Sequence, residues 1–461
     1  MSDNMVSRYS LFSPTDYRYS VEALQVYLSE EAYIHYKAKV EAALAEILAR
    51  NGICSKSIAS EIATAAEQVT AAEVYAEEDR IKHDIRALVN VIRNKVSEEA
   101  KPFVHASATS YDIVDTANVL RYKDATRNVL IPDMLRLEKA FIDLALREKA
   151  TIQIGRTHGQ HAEPITFGFA IAQYVSRWGK RIIKLRDSAS SLEAKFSGAV
   201  GAYNASSLFF TNPEEFETDV LHVLGLKSAE ISTQIVPPEP TTDFIHAITS
   251  SFGVLANFAR DMRNLQREEI AEVGEPYGSE QVGSSTMPQK RNPINFENVE
   301  SAWKKTIPQM ITVYMDQISE HQRDLTNSLS QRYLPELIVV FDSSVKRMIR
   351  ITNELRVNKA GMDRNFNMNK DKIIAEPLYI LLAYNGHPDA HEYVRRLTEV
   401  SYRTGRPLNE IVSSDESLKP YLQKLTSQQL AILNDPSNYL GIAVKKTEKV
   451  VEKWKRFLME Q

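Results

Sequence analysis

Apolar positions recur at intervals of three and four residues along most of the chain, the period of helices that bury one face. Tyr33, Tyr36, Val40, Leu44 and Ile47 form one such stripe and predict a helix over 31–51, with Gly52 placed to end it in a left-handed conformation. The same spacing predicts helices over 57–70 and 71–96, the second carrying Lys82-His83-Asp84 at its middle. Pro102 interrupts the pattern. The polar run 105–112, opening on His105, reads as a loop whose Ser and Thr residues cap a following helix. Much longer stretches follow, over 113–148 with Pro132 inside it, 164–196, 241–270, 293–320 and 334–357. Helices of that length with apolar stripes and few strand candidates argue for an all-α fold built on an extended long-helix bundle. So much side surface also points to burial against other subunits. Past 361 the segments shorten and are broken at Pro377, Gly386-His387-Pro388 and Pro407. The expected organisation is an N-terminal helical domain over 1–112, a central bundle over 113–360 and a small C-terminal helical domain over 361–461.

Composition narrows the class. Of 461 residues, 43% are hydrophobic and 25% charged, an ordinary globular balance. A formal net charge of -4 gives no global attraction to nucleic acid or membrane, so any anion site is local. The single cysteine, Cys54, excludes an internal disulfide framework and fits a reducing compartment. No signal-peptide-like segment and no apolar run of about 18 residues stands out, so the cytoplasm is the expected location. Neither zinc-ligand spacing nor a glycine-rich phosphate loop occurs, and neither a metal nor a nucleotide cofactor is expected.

The candidate chemistry lies in polar loops between the helices. Gly283-Ser284-Ser285-Thr286-Met287-Pro288-Gln289-Lys290-Arg291-Asn292-Pro293 combines small residues, hydroxyls and cations ahead of a helix that carries Glu297. The plain reading is a flexible linker. The chemical reading is a mobile loop whose N–H groups, with a helix N-terminus behind them, close on an anion. Gly155-Arg156-Thr157-His158-Gly159-Gln160-His161-Ala162-Glu163-Pro164 reads as a glycine-hinged loop and sets two histidines beside Arg and Thr. In isolation, His83 beside Asp84 reads as a solvated helix face and His105 as part of a capping region. Arg323 and Arg332, with serines between them, suit bidentate recognition of phosphate or carboxylate, although a charged surface turn has the same composition. Arg18-Tyr19 is the weakest signal.

Together these stretches resemble a known family. The 283–298 segment is similar to the signature loop of the fumarase/aspartase superfamily, whose members cleave a C–N or C–O bond and release fumarate. Ser13-Pro14-Thr15-Asp16-Tyr17-Arg18-Tyr19, Lys82-His83-Asp84, the 109–116 run, the 155–164 loop, the 197–203 run, Ser232-Thr233-Gln234 and the 322–332 run resemble its adenylosuccinate lyase branch, in that family's order. The resemblance implies a three-domain fold with a central long-helix bundle, assembled as a homotetramer with active sites built from three subunits. It implies elimination of fumarate from a succinylamino nucleotide, without metal or cofactor. It makes Ser284 the base and His158 the acid, with Lys290 helping to lower the serine's pKa and Glu297 orienting His158. His83 and His105 match positions that hold the substrate's phosphate and carboxylate end. Thr109, Ser110, Thr157, Lys290 and Asn292 match carboxylate-binding positions. Arg18, Tyr19, Arg323, Ser328 and Arg332 match positions that hold phosphate and ribose, and Gln234 matches a substrate-contacting glutamine. The chain departs from the branch at Gln289, where many members have histidine, and at Pro237-Pro238-Glu239-Pro240, where many have an Arg/Asp-containing stretch. The alternatives are a sister lyase, a carboxymuconate cycloisomerase or a non-catalytic helical scaffold.

Overall fold

The stripe at 31–51 forms the helix Glu30–Arg50 in the computed structural model, which describes residues 11–278 and 280–461. Ser29 Oγ accepts the Ala32 N–H at 3.1 Å, and the helix ends at Asn51 with Gly52 at φ 73°. Lys56–Glu67 follows as expected. The helix expected over 71–96 is instead two helices, Ala71–Ile81 and Asp84–Arg93. Lys82 turns left-handed at φ 59°, and His83 becomes the N-cap of the second helix, its Nδ1 accepting the Arg86 N–H at 3.2 Å. The chain breaks at the motif, where left-handed Lys82 ends one helix and His83 caps the next.

Proline shapes two of the long stretches. Ser110–Ala125 and Ile131–Arg147 are joined by the π-helical turn Thr126–Leu130. Pro132 has no N–H and its ring crowds the preceding turn, and a widened turn lets the helix run on. At Pro308 the same conflict ends one helix, Ile294–Thr306, before the next, Gln309–Met315. Phe167–Ser190 and Leu334–Asn353 are shorter than their apolar patterns by a turn or more, and Glu239–Leu265 ends five residues before its own. The 155–164 run, expected as a loop, is a β-hairpin of Ile152–Thr157 with Gln160–Thr166. After 358 the helices are short, as expected, up to the final Ala443–Met459.

The chain divides into two compact units. One comprises Met1–Leu135, Lys180–Leu255 and Val299–Lys346, and the other Arg136–Gly179, Ala256–Asn298 and Arg347–Gln461. In the first, Phe252 meets Phe341 edge-on with ring centres 5.6 Å apart, and Tyr122 stacks on Phe244 at 6.2 Å. In the second, Phe141, Tyr174 and Phe258 pack as an aromatic triangle with centres 4.8 to 6.3 Å apart. The C-terminal helix lays Trp454 on Gly179, where a Cβ would stand 2.3 Å from the indole ring. Among the described residues, no helix is long and apolar enough to cross a membrane.

Candidate active site

Within the first unit, His83, Ser110, Gln234, Ser328 and Arg332 line one cavity of about 450 Å³. Helix periodicity explains part of this. Ser110, Val114, Asn118 and Arg121 lie along one face of Ser110–Ala125 and all reach the cavity. Lys82 and Asp84 join them because the chain breaks at His83. Arg121 is only 4% exposed, donates to Asn118 Oδ1 at 3.0 Å and stacks 4.1 Å from the centre of the Tyr33 ring. Lys37 lies 3.8 Å from the centre of that ring and 3.6 Å from Asp84. Burial draws the Lys37 ammonium down to about 8, against the pull of Asp84. The cap that His83 provides leaves its Nδ1 bare, so the N–H of the neutral ring is at Nε2.

A buried ion pair anchors the neighbouring loops. Asp112 and Lys195 are fully buried and bonded to each other. Asp112 also accepts the Thr109 N–H at 2.9 Å and the Gly198 N–H at 3.2 Å, which ties the Thr109-Ser110 cap to the 197–203 loop. That loop presses on Ser232: a Cβ on Gly201, at φ 72°, would stand 2.0 Å from the Ser232 carbonyl. Gln234 N–H donates to the Gln322 carbonyl at 3.3 Å, bringing in the arginine-bearing segment. Arg323 bonds Asn327 Oδ1 at 2.8 Å and the Tyr111 hydroxyl, stacking 4.2 Å from the centre of the Tyr111 ring. Among the described residues, the cavity lining does not include Arg323, Arg18, Tyr19, His105 or Thr109. Arg18 and Tyr19 sit on the turn after Pro14, both N–H groups donating to its carbonyl at 2.8 and 2.9 Å. His105 turns left-handed at φ 64° with Nδ1 2.6 Å from Glu41 Oε1.

The second unit holds the remaining predicted residues. Thr157 pairs with Gln160 across the hairpin, leaving His158-Gly159 as its two-residue turn, with φ 52° and 76°. Two positive φ values are what the right-handed twist of the strands requires of such a turn. His158 is therefore exposed at a strained tip, at a cost of about 1–3 kcal/mol. The hairpin is held from beneath. Fully buried Glu272 accepts Gln153 at 2.7 Å, Arg156 at 2.6 Å and Asn365 at 2.8 Å, and Ile154 packs with Phe366 and Ile373. His161 contacts Asn369 at 3.2 Å, and burial with Arg156 nearby lowers its pKa.

The serine loop closes on itself. Gly283 lies so near the Lys290 carbonyl that a Cβ would approach it to 1.9 Å, and its own carbonyl accepts Asn292 Nδ2 at 3.1 Å. Ser284 Oγ accepts the N–H groups of Thr286 at 3.3 Å and Met287 at 3.1 Å. Donors aimed at an oxygen favour its anionic form. The helix N-terminus behind the loop, expected to be open to an anion, is already occupied. Glu275, 7% exposed, accepts the N–H groups of Asn295 at 2.9 Å and Phe296 at 2.8 Å. Lys290 and Gln289 are exposed, as is Glu297 on the first turn of Ile294–Thr306. Among the described residues of this chain, His158 has no hydrogen bond to Glu297 or Ser284.

A model of the lyase family matches residues 3–307, and a model of the adenylosuccinate lyase C-terminal region matches residues 319–440. The adenylosuccinate lyase of Pyrococcus abyssi is 37% identical over 446 residues, covering 95% of this chain and 97% of that one. The chain belongs to the adenylosuccinate lyase family. The family's enzymes from Pyrococcus horikoshii and Methanocaldococcus jannaschii are 36% and 33% identical, each over 95% of this chain and over 97% and 95% of their own. Among solved structures, the 3-carboxy-cis,cis-muconate lactonizing enzyme from Pseudomonas putida superposes with a TM-score of 0.84 at 25% identity, over 95% of this chain and 98% of that one. The fumarate lyase from Mesorhizobium sp. BNC1 gives 0.83 at 24% over 94% and 98%, a likeness of fold. The all-α fold of the fumarase/aspartase type is thus the fold of this member of the adenylosuccinate lyase family.

Several residues at these clusters escaped the sequence reading: Tyr33, Arg121, Glu41, Glu272 and Glu275. Arg121 was within reach, since it falls on the same helical face as Ser110. Tyr33 was read only as part of the apolar stripe, and Lys37 and Glu41 follow it at successive turns of Glu30–Arg50. The two carboxylates at 272 and 275 carry no local signal, because their partners lie elsewhere in the chain.

Proposed function

We propose that this chain eliminates fumarate from adenylosuccinate to give AMP, and from the succinylated aminoimidazole carboxamide ribotide of purine synthesis in the same way. The observation that carries this reading is the 450 Å³ cavity, which sets Lys82, Arg121 and Arg332 beside His83, Ser110, Gln234 and Ser328. Cations and hydroxyls there suit a phosphate and carboxylates, while Glu30 and Glu78 can accept ribose hydroxyls. Arg18, Tyr19, Arg323, Ser328 and Arg332 serve the phosphate and ribose in this reading, and Gln234 contacts the substrate. Thr109, Ser110, Thr157, Lys290 and Asn292 serve the succinyl carboxylates, and His83 and His105 hold the anionic ends.

Ser284 Oγ takes the proton from the carbon next to a succinyl carboxylate. The C–N bond then breaks, its electron pair passes to nitrogen, and His158 protonates that nitrogen. An unassisted serine hydroxyl is a weak base. Two N–H donors on Ser284 Oγ and the Lys290 charge stabilise its alkoxide, and they replace the helix terminus that Glu275 occupies. Glu297 orients His158 once subunits assemble, which accords with the absence of that bond within one chain. The assembly is a homotetramer with sites shared between subunits, working in the cytoplasm, and the three domains divide near 112 and 360.

The test is an absorbance assay of the purified protein with adenylosuccinate, argininosuccinate and 3-carboxy-cis,cis-muconate in parallel. Turnover of the first to AMP and fumarate is expected. Turnover of the third alone would reassign the chain to the reaction of the lactonizing enzyme it superposes on.

A further inference from the structure

We infer that Glu41 is a positioning residue for the proposed reaction: from the buried face of Glu30–Arg50 it fixes the orientation of the His105 imidazole, which lies beside but not in the lining of the cavity. The inference rests on the reading of His105 as a substrate-binding residue. Its own support is geometric. Glu41 is 1% exposed, in a helix whose neighbouring positions Val40 and Leu44 are fully buried. An ionisable group in such a place costs stability unless a partner holds it. The partner is His105, with Nδ1 2.6 Å from Glu41 Oε1, a charge-assisted distance. Among the described residues Glu41 Oε2 is buried without a hydrogen-bond partner, and the directed bond of this carboxylate is the one to His105.

His105 accepts strain to make the contact. Its backbone stands at φ 64° and that of Ser107 at 60°, conformations that disfavour L-residues by about 1–2 kcal/mol each. The strained turn leads directly into the Thr109-Ser110 cap, whose Ser110 lines the cavity.

Three charged groups from three elements bear on the ring: Glu41 from its helix, Asp112 from the cap of Ser110–Ala125, and Arg86 from Asp84–Arg93. Burial opposes the imidazolium and Arg86 repels it, but Glu41 with Asp112 outweighs both, and the His105 pKa is raised. With Nδ1–H committed to Glu41, Nε2–H is the free donor of a cation.

The test compares wild type, Glu41→Gln, Glu41→Asp and His105→Asn, with KM and kcat for adenylosuccinate from pH 6 to 9. Glu41→Gln removes the charge, so His105 loses its proton at lower pH. KM is expected to rise about tenfold at pH 8 while kcat changes less than about threefold. At pH 6 the KM difference is expected to be smaller than at pH 8, because acid favours the imidazolium in both proteins. Glu41→Asp, which keeps the charge, is expected to fall between the two. In the His105→Asn background, Glu41→Gln is expected to add no further rise in KM. A uniform loss at every pH, or an equal cost with and without His105, would overturn the inference and leave Glu41 a packing residue. If Glu41→Gln does not fold, Glu41→Asp decides: a KM raised equally at every pH overturns the role. A wild type without lyase activity would refute the proposed function instead.

Discussion

In the proposed reaction Ser284 acts through two backbone donors, the Thr286 and Met287 N–H groups, rather than through its own acidity. Ser284→Ala removes only the hydroxyl and leaves the loop's Gly283–Asn292 closure in place. The expected outcome is a kcat lowered about 10³-fold with KM within a factor of three, read from initial rates of fumarate release. Asp115 illustrates the opposite case, an ionisable residue whose burial works against the fold. It is fully buried, and burial pushes its pKa up to about 6, against the Val236 N–H that donates to it at 3.0 Å. A carboxyl raised in the folded state contributes stability below its unfolded pKa and loses it as pH rises through the folded value. The loss falls between about pH 4 and 6 and amounts to about 3 kcal/mol. Asp115→Asn keeps the acceptor for Val236 and removes the ionisation. The variant is expected to gain Tm over wild type at pH 7 but not at pH 4, in thermal unfolding at both values. Equal differences at both would mean that Asp115 is not raised. The sequence singled out Ser284 and His105 because polar loops rich in small residues and hydroxyls advertise themselves, and His83 through the resemblance of Lys82-His83-Asp84. It could not single out Glu41 or Arg121, whose roles come from being buried.

Elements, not isolated residues, set how these groups are presented. The hairpin tip places His158, a helix N-cap places His83, and a closed loop places Ser284. The residues that impose each geometry are local: His158-Gly159 for the turn, Lys82 for the helix break, Gly283 for the loop closure. Gly283→Ala tests the last. Its Cβ would meet the Lys290 carbonyl at 1.9 Å and the Tyr277 hydroxyl at 2.8 Å, so the loop must open. Because the loop is exposed, the expected result is a loss of about 10²-fold in kcat/KM with Tm within about 2 °C of wild type. A fall in Tm by several degrees would instead place Gly283 among the residues that hold the fold. Helix existence was legible from periodicity, and so were the end at Gly52 and the cap at Thr109. The hairpin was not, because a two-strand ribbon leaves only short alternating runs, Ile152 to Ile154 and the lone Ile165. Neither was the helix break at 82–83, since nothing in local spacing says that an imidazole will outcompete helical continuation.

At the scale of the molecule, the proposed machinery is divided. One compact unit carries the cavity with His83, Ser110, Gln234, Ser328 and Arg332, and the other carries Thr157, His158, Ser284, Lys290, Asn292 and Glu297. Within one chain His158 and Ser284 do not meet through any hydrogen bond among the described residues. The proposed homotetramer, with sites shared between subunits, would bring the two groups together. Mixing inactive Ser284→Ala and His158→Gln chains tests it. If a site takes its serine and its histidine from different chains, refolded equal mixtures are expected to recover about a quarter of wild-type activity. No recovery would place both residues in one chain's site. Light scattering should give about four times the 52.2 kDa chain mass.

The sequence by itself determined what depends on neighbours in the chain: that most of it is helical, the helix Glu30–Arg50 with its end at Gly52, and the small-residue segment that carries Ser284. Such features follow from periodicity and backbone conformation, which are local and repeat often enough to be read. Tertiary structure alone decided which charges are buried and with whom. Glu41 finds His105 64 residues away, Asp112 finds Lys195 83 residues away, and Glu275 takes the helix N-terminus that the loop was expected to use. Each such partnership occurs once and depends on burial, and burial is a property of the folded chain.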